Sequence, residues 1–261
     1  MPTWRIDIAG AKFSLVSDPI DRLVIYCLPQ DLAGAQRILK EVKKVVELYS
    51  FLFSRPKLYA GYTIIEIPDG LGSQASDLYV LQTPAAFTDS TRIGEMYHEV
   101  AHTWNAMSKR DVQRCRWFDE AFASYLEALA IFSFYARQAF EDELEKSREI
   151  FVHWANYDRQ VYDTPIADHG KKELGRHSYT KGAWSLYVLN QVVGDQTFTQ
   201  IFRAMLAEYE TRAMDFDDFR AVVERISKRN LKKFFDEWIY GTESSRLLVD
   251  GVSITDIVKR Y

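Results

Sequence analysis

The chain has 261 residues, 47% of them hydrophobic and 14% aromatic, enough apolar material for one large domain or two small lobes. Its 33 Lys and Arg against 37 Asp and Glu leave a formal net charge of -4, which offers no electrostatic footprint for nucleic acid and no polybasic patch for anionic lipid. With only Cys27 and Cys115 there is no disulfide framework, no apolar run is long enough to span a bilayer, and the opening Met-Pro-Thr-Trp-Arg-Ile-Asp lacks an apolar signal core; a reducing, cytoplasmic compartment fits slightly better than an oxidising one.

In chain order, residues 4–27 mix short alternating and apolar runs, of which Leu23-Val24-Ile25-Tyr26 reads as a strand. Over 31–53 the period changes. Leu32, Ala35, Ile38, Leu39, Val42, Val45, Val46 and Tyr49 recur at three- and four-residue steps, an amphipathic helix with Lys40, Lys43 and Lys44 on its solvated side. Strand signals return at Leu58-Tyr59-Ala60, at 62–67 and at 77–81, with a turn at Pro68-Asp69-Gly70. After Thr88 the pattern is helical. Ser90 can cap a helix through Ile93, Met96, Tyr97, Val100, Ala101 and Trp104, and a second helix begins near Asp119 and continues beyond Tyr135. A third follows Tyr179 and stops at Gly194, Asp195 can cap a fourth, and 215–228 and 231–240 read as two more. The class is α+β: residues 1–88 form a small mixed β-sheet lobe with one packed helix, and residues 89–261 a helical lobe. A cleft between lobes is a common place for a site.

His98-Glu99-Val100-Ala101-His102 sits inside the first of those later helices. Helical spacing puts His98 and His102 on one face, one turn apart, where two imidazoles can hold one zinc ion. Glu99 lies beside them and can take a proton from an attacking water. A third ligand is needed, with one position left open. Trp117-Phe118-Asp119-Glu120-Ala121-Phe122 supplies it: Glu120, at the start of the next helix, can point back at the first. Asp119 is the competing ligand and reads instead as the helix cap. Glu127 lies two turns beyond Glu120 on the same face, as a carboxylate that accepts a proton from a bound imidazole or as a solvated residue. Cys115 reads as a small buried side chain, and Trp104, Trp117 and Tyr125 as packing around these helices.

These segments resemble the aminopeptidase N group of gluzincin zinc metallopeptidases, whose second motif usually reads Trp-Leu-Asn-Glu-Gly-Phe-Ala. Ser178-Tyr179-Thr180-Lys181-Gly182-Ala183 is similar to that family's Tyr-x-Lys-Gly segment, and Phe234-Phe235-Asp236-Glu237-Trp238 to the segment that closes its catalytic domain. The resemblance implies a thermolysin-like catalytic domain made of both lobes, one zinc ion, and a tyrosine, Tyr179, that stabilises the oxyanion. It also implies a peptide or protein substrate. The chain has no room for the family's flanking domains, so it reads as a bare catalytic domain or one excised from a larger protein. The family's Gly-x-Met-Glu-Asn strand, whose glutamate binds a free amine, is missing. Gln74, Ala75 and Ser76 are its nearest counterpart, with Ala75 at the glutamate's place, where a strand can still pair with a peptide backbone.

The expected activity is therefore zinc-dependent hydrolysis of peptide bonds with Glu99 as general base, aminopeptidase-like or with a relaxed need for a free amino terminus. The alternative is a silent zinc-binding, peptide-binding scaffold. Among the remaining histidines, His153 reads as structural, Asp168-His169-Gly170 as a polar stretch that can line a substrate cleft, and His177 as a neighbour of Tyr179 that can tune the pocket.

Overall fold

Five short strands form one mixed sheet in the computed structural model, which describes residues 9–56, 59–70, 74–75, 79–135 and 137–261. They are β1 (Ser14–Asp18), β2 (Leu23–Cys27), β3 (Tyr62–Glu66), β4 (Gln74–Ala75) and β5 (Tyr79–Gln82), in the order β1-β2-β3-β5-β4. β1 and β2 pair antiparallel, β2–β3 and β3–β5 parallel, and β4 closes the sheet antiparallel to β5, with Ala75 opposite Val80. The register sets Leu23 against Tyr62 and Ile25 against Ile64, so the buried residues of β2 and β3 share a face.

A 3₁₀ turn (Pro29–Asp31) leads into α1 (Leu32–Phe53), which buries Ala35, Ile38, Val42, Val45, Val46 and Tyr49 as its period requires. Leu32, expected on that face, is exposed at the first turn. Lys43 is not simply solvated: its ammonium lies 2.6 Å from the Asp18 carboxylate of β1. The strand expected at 58–60 does not form at Tyr59 and Ala60, and Leu58 lies outside the described residues. Gly61, with φ of 100°, turns the backbone out of the extended conformation just after them, and a Cβ there would lie 2.2 Å from the Arg22 carbonyl oxygen. Then come α2 (Pro84–Thr88), a 3₁₀ turn (Ser90–Arg92), α3 (Ile93–Ala101) and a second 3₁₀ turn (His102–Trp104). The cap is Asp89 rather than Ser90: its carboxylate accepts from the Thr91 amide at 2.9 Å.

The rest is helical: α4 (Arg110–Gln113), a π-helical turn (Trp117–Ala121), α5 (Phe122–Phe134), α6 (Arg137–Tyr157), α7 (Arg159–Asp163), a 3₁₀ segment (Gly175–Tyr179) and α8 (Lys181–Val193). α9 (Asp195–Tyr209), α10 (Phe216–Ser227), α11 (Lys232–Trp238), α12 (Glu243–Val249) and α13 (Ile254–Val258) follow. The helix expected to run past Tyr135 stops at Phe134. Gly194, with φ of 83°, ends α8 as expected, while Asp195 occupies the first position of α9 instead of capping it. Asp215 and Asp218 form a reciprocal capping box on α10.

The chain divides into two compact units, Met1–Phe51 with Arg55–Thr103, and Leu52–Ser54 with Trp104–Tyr261. In the second, Trp117 meets Phe118, Phe122, Phe216 and Phe219 at ring separations of 4.9 to 5.4 Å, mostly edge to face. α8 approaches this cluster closely because residue 182 has no side chain. A Cβ on Gly182 would stand 2.7 Å from the Ala121 Cβ and 3.1 Å from a Trp117 ring carbon. Gly182→Ala should therefore destabilise the chain by about 1–3 kcal/mol through overpacking. Urea denaturation checks this, and an unmoved midpoint would mean that α8 can back away at no cost.

Candidate metal centre

Tyrosine hydroxyls hold α3 within the sheet-bearing unit. Tyr62 of β3 donates to the Val100 carbonyl at 2.8 Å, Tyr49 of α1 to the Tyr97 carbonyl at 3.4 Å, and Tyr97 itself to Glu41 of α1 at 2.6 Å. The two accepting carbonyls bracket His98 and Glu99, so this part of the helix is anchored to both sheet and α1. His98 and Glu99 are each 8% exposed, and half-buried His102 opens the 3₁₀ turn that continues α3. The two imidazoles stand with ring centroids 5.0 Å apart and planes at 81°. That is what one helical turn between them requires.

In the helical unit, Glu120 sits in the π turn with 2% of its surface exposed. A π turn adds a residue to the helical circuit and so re-aims the side chains it carries. Its base is tied down at several points. The Trp117 indole donates to Ser185 of α8 at 2.9 Å, Ser178 donates to the Cys115 carbonyl at 2.6 Å, and the buried Cys115 thiol donates to the Ala167 carbonyl at 3.2 Å. Arg116 precedes the turn in the left-handed region, φ 56°, and its carbonyl accepts the Glu120 amide at 2.7 Å.

The Arg116 guanidinium folds back over the same turn. It donates to Asp119 through Nε at 3.2 Å and Nη2 at 2.7 Å, and Nη2 also donates to Glu120 Oε1. Burial works against the charge on Arg116, but Asp119 and Glu120 outweigh it and push the pKa above its ordinary value. The hydroxyl of Tyr179, which is 39% exposed, hydrogen-bonds to Glu120 as well. Burial first, then the charge of Glu120, raises the Tyr179 pKa, so the phenol keeps its proton and can donate it in a hydrogen bond.

His98, His102 and Glu120 each offer one ligand atom, and these atoms lie within 4.8 Å of one another. Two imidazoles and a carboxylate are donors that suit zinc, and three protein ligands leave a coordination position open. The donor set therefore fits the ion. Asp119 is not in that cluster. Nor does it cap a helix, since neither the π turn nor α5 has a side-chain cap; its carboxylate takes Arg116 and, at 3.0 Å, the Asn105 amide. Glu127 lies half-buried two turns along α5. Gln74 and Ala75 form the edge strand β4, while Ser76 lies outside the described residues.

The other histidines separate cleanly. His153 is exposed on α6, against the Trp154 ring at 5.6 Å. His169 is 0% exposed and so does not line a surface cleft as its polar stretch suggests, while His177, the sequence neighbour of Tyr179, is buried as well. The grip of Arg116 on Glu120 was missed from sequence, although an Arg four residues before a Glu on a helical turn is a readable pair.

The model of the Peptidase family M1 domain matches residues 78–238. This chain belongs to peptidase family M1. It is 23% identical to leucine aminopeptidase 2 of Sclerotinia sclerotiorum, over 92% of this chain and 42% of that protein. To human glutamyl aminopeptidase it is 24% identical, over 97% of this chain and 28% of the other. The chain thus spans less than half the length of these M1 relatives. Native yeast LTA4 hydrolase superposes with a TM-score of 0.76 at 17% identity, over 88% of this chain and 39% of that one. An M1 zinc metallopeptidase mutant of Deinococcus radiodurans, bound to a Tyr-Ser-Ala substrate, gives 0.60 at 17% identity, over 87% and 51%. The small mixed sheet and the helices are those of the M1 catalytic domain, an α+β, thermolysin-like fold.

Within the matched segment lie three buried bases. Burial pushes His169 down to about 3 and His177 to about 4 from an ordinary 6.5, with Lys181 and Arg176 respectively adding to the shifts. Lys181 of α8, buried, donates to the Thr164 carbonyl at 3.2 Å and to Ser245 Oγ at 2.9 Å, and burial lowers it to about 7 from 10.5. Unfolding lets each base bind a proton that the fold disfavours. Stability is therefore lost as pH falls, through the lysine from about 10.5 to 7 and through the histidines from about 6.5 to 3. Lys181→Met should flatten the rise in unfolding free energy between about pH 7 and 10. Denaturation curves across that range measure it, and an unchanged slope would mean that Lys181 titrates alike in both states.

Proposed function

We propose that this chain is a zinc-dependent peptidase in which His98, His102 and Glu120 hold one zinc ion and Glu99 is the general base. The observation that carries this reading is the convergence of two imidazoles and one carboxylate within 4.8 Å, beside a buried glutamate on the same helix. When bound, zinc would act as a Lewis acid on the scissile carbonyl and lower the pKa of water. Glu99 takes the proton of the attacking water and passes it to the leaving amine. The Tyr179 hydroxyl, held protonated by its surroundings, donates to the carbonyl oxygen as negative charge develops there. Glu127 supports the imidazoles as a hydrogen-bond acceptor.

The substrate is a peptide. The edge strand Gln74–Ala75, with Ser76 after it, pairs with the substrate backbone by strand addition, and no glutamate stands at Ala75 to demand a free amine. Amino-terminally blocked peptides should therefore be cut about as well as free ones. Strict dependence on a free amine would mean that another residue recognises it.

Metal analysis should find about one zinc per chain. Glu99→Gln should bind zinc as the wild type does and lose about 10²–10⁴-fold in kcat. Tyr179→Phe should lose about 10²–10³-fold in kcat with KM little changed. Full hydrolysis by Glu99→Gln would refute the mechanism. A zinc-loaded wild type that binds peptides and cuts none would establish the scaffold alternative instead.

A further inference from the structure

The Glu120 carboxylate already has partners within the helical unit. It is buried in the π turn and receives Arg116 Nη2 on Oε1 and a hydrogen bond from Tyr179. Arg116 is a cation that acts on both Tyr179 and Glu120, and several contacts hold it in place. Its backbone takes the left-handed conformation, uncommon for a residue with a side chain, which turns the guanidinium back over the turn that its carbonyl begins. Asp119 grips the guanidinium through both Nε and Nη2, and Asn105 holds Asp119. The side chain is nevertheless 47% exposed, so it has a path to swing away.

We infer that Arg116 is a positioning residue that stands in for the metal. Its guanidinium neutralises and orients Glu120 in the metal-free chain, and it sets how tightly zinc binds there. The inference rests on the zinc reading above. Its physical basis is charge compensation. A buried carboxylate without a partner is costly, so a resident cation lets the turn fold ahead of the metal. Once a divalent cation arrives, that compensation is redundant, and a second positive charge beside the ligand opposes binding. Arg116 thus trades zinc affinity for a metal-free site that is already folded. Asp119 keeps the guanidinium close after release, poised to reclaim Glu120 when the metal leaves.

The test compares wild type, Arg116→Leu and Arg116→Lys for zinc affinity, by competition with a chromogenic chelator, and for melting temperature with and without zinc. Arg116→Leu should bind zinc about tenfold tighter than wild type. Its metal-free form should melt lower, so the rise in melting temperature on adding zinc should be larger than in wild type. Arg116→Lys keeps the charge and should bind zinc like wild type. Should the Leu variant fail to fold, Arg116→Gln removes the charge while keeping hydrogen-bonding capacity, and the same comparison applies. Equal or weaker zinc binding on loss of the charge overturns the inference while leaving the zinc site standing. A wild type that takes up no zinc overturns the zinc reading, and with it this one.

Discussion

A carboxylate taken out of water must be met by cations or donors, and Glu120, 2% exposed, faces that demand. Its local structure is organised around meeting it. The π turn presents the side chain, Arg116 returns across the turn to neutralise it, and Tyr179 donates to it from the 3₁₀ segment before α8. Trp117 fastens the turn to Ser185, and the absent side chain at Gly182 lets α8 sit against it. The same carboxylate thus links the packing of the helical unit to the proposed chemistry, because it is a buried charge that could also serve as a metal donor.

The sheet-bearing unit solves a simpler problem. There His98 and His102 ride on a helix that is held by hydrogen bonds to its backbone. Tyr62 and Tyr49 bind carbonyls on either side of the His98-Glu99 pair. These bonds engage the backbone of the helix.

Much of this was legible in order along the chain. The three- and four-residue steps of α1, the alternation of β2 and β3 and the stop at Gly194 all follow from local chemistry. The His-Glu-x-x-His spacing carries its own geometry, since five residues on a helix fix the relative direction of two side chains. The errors were also local in origin. Ser90 and Asp119 are good caps by composition, but Asp89 makes the bond to Thr91 and Asp119 is claimed by Arg116 and Asn105. His169 lies in a polar stretch yet is wholly buried, with His177 and Lys181 near it.

Sequence alone determined the chemistry available here: which side chains can bind a metal, which can move a proton, and that peptide hydrolysis is the family's business. These depend on residue type and short-range spacing, which a helix translates directly into direction. Tertiary structure decided which charges are compensated and by whom. That Arg116 meets Glu120, that the Lys181 ammonium is buried against the Thr164 carbonyl and the Ser245 hydroxyl, and that Asp119 serves as an anchor all depend on how the chain folds back on itself. Burial is a property of everything packed around a group, and no window of neighbouring residues contains it.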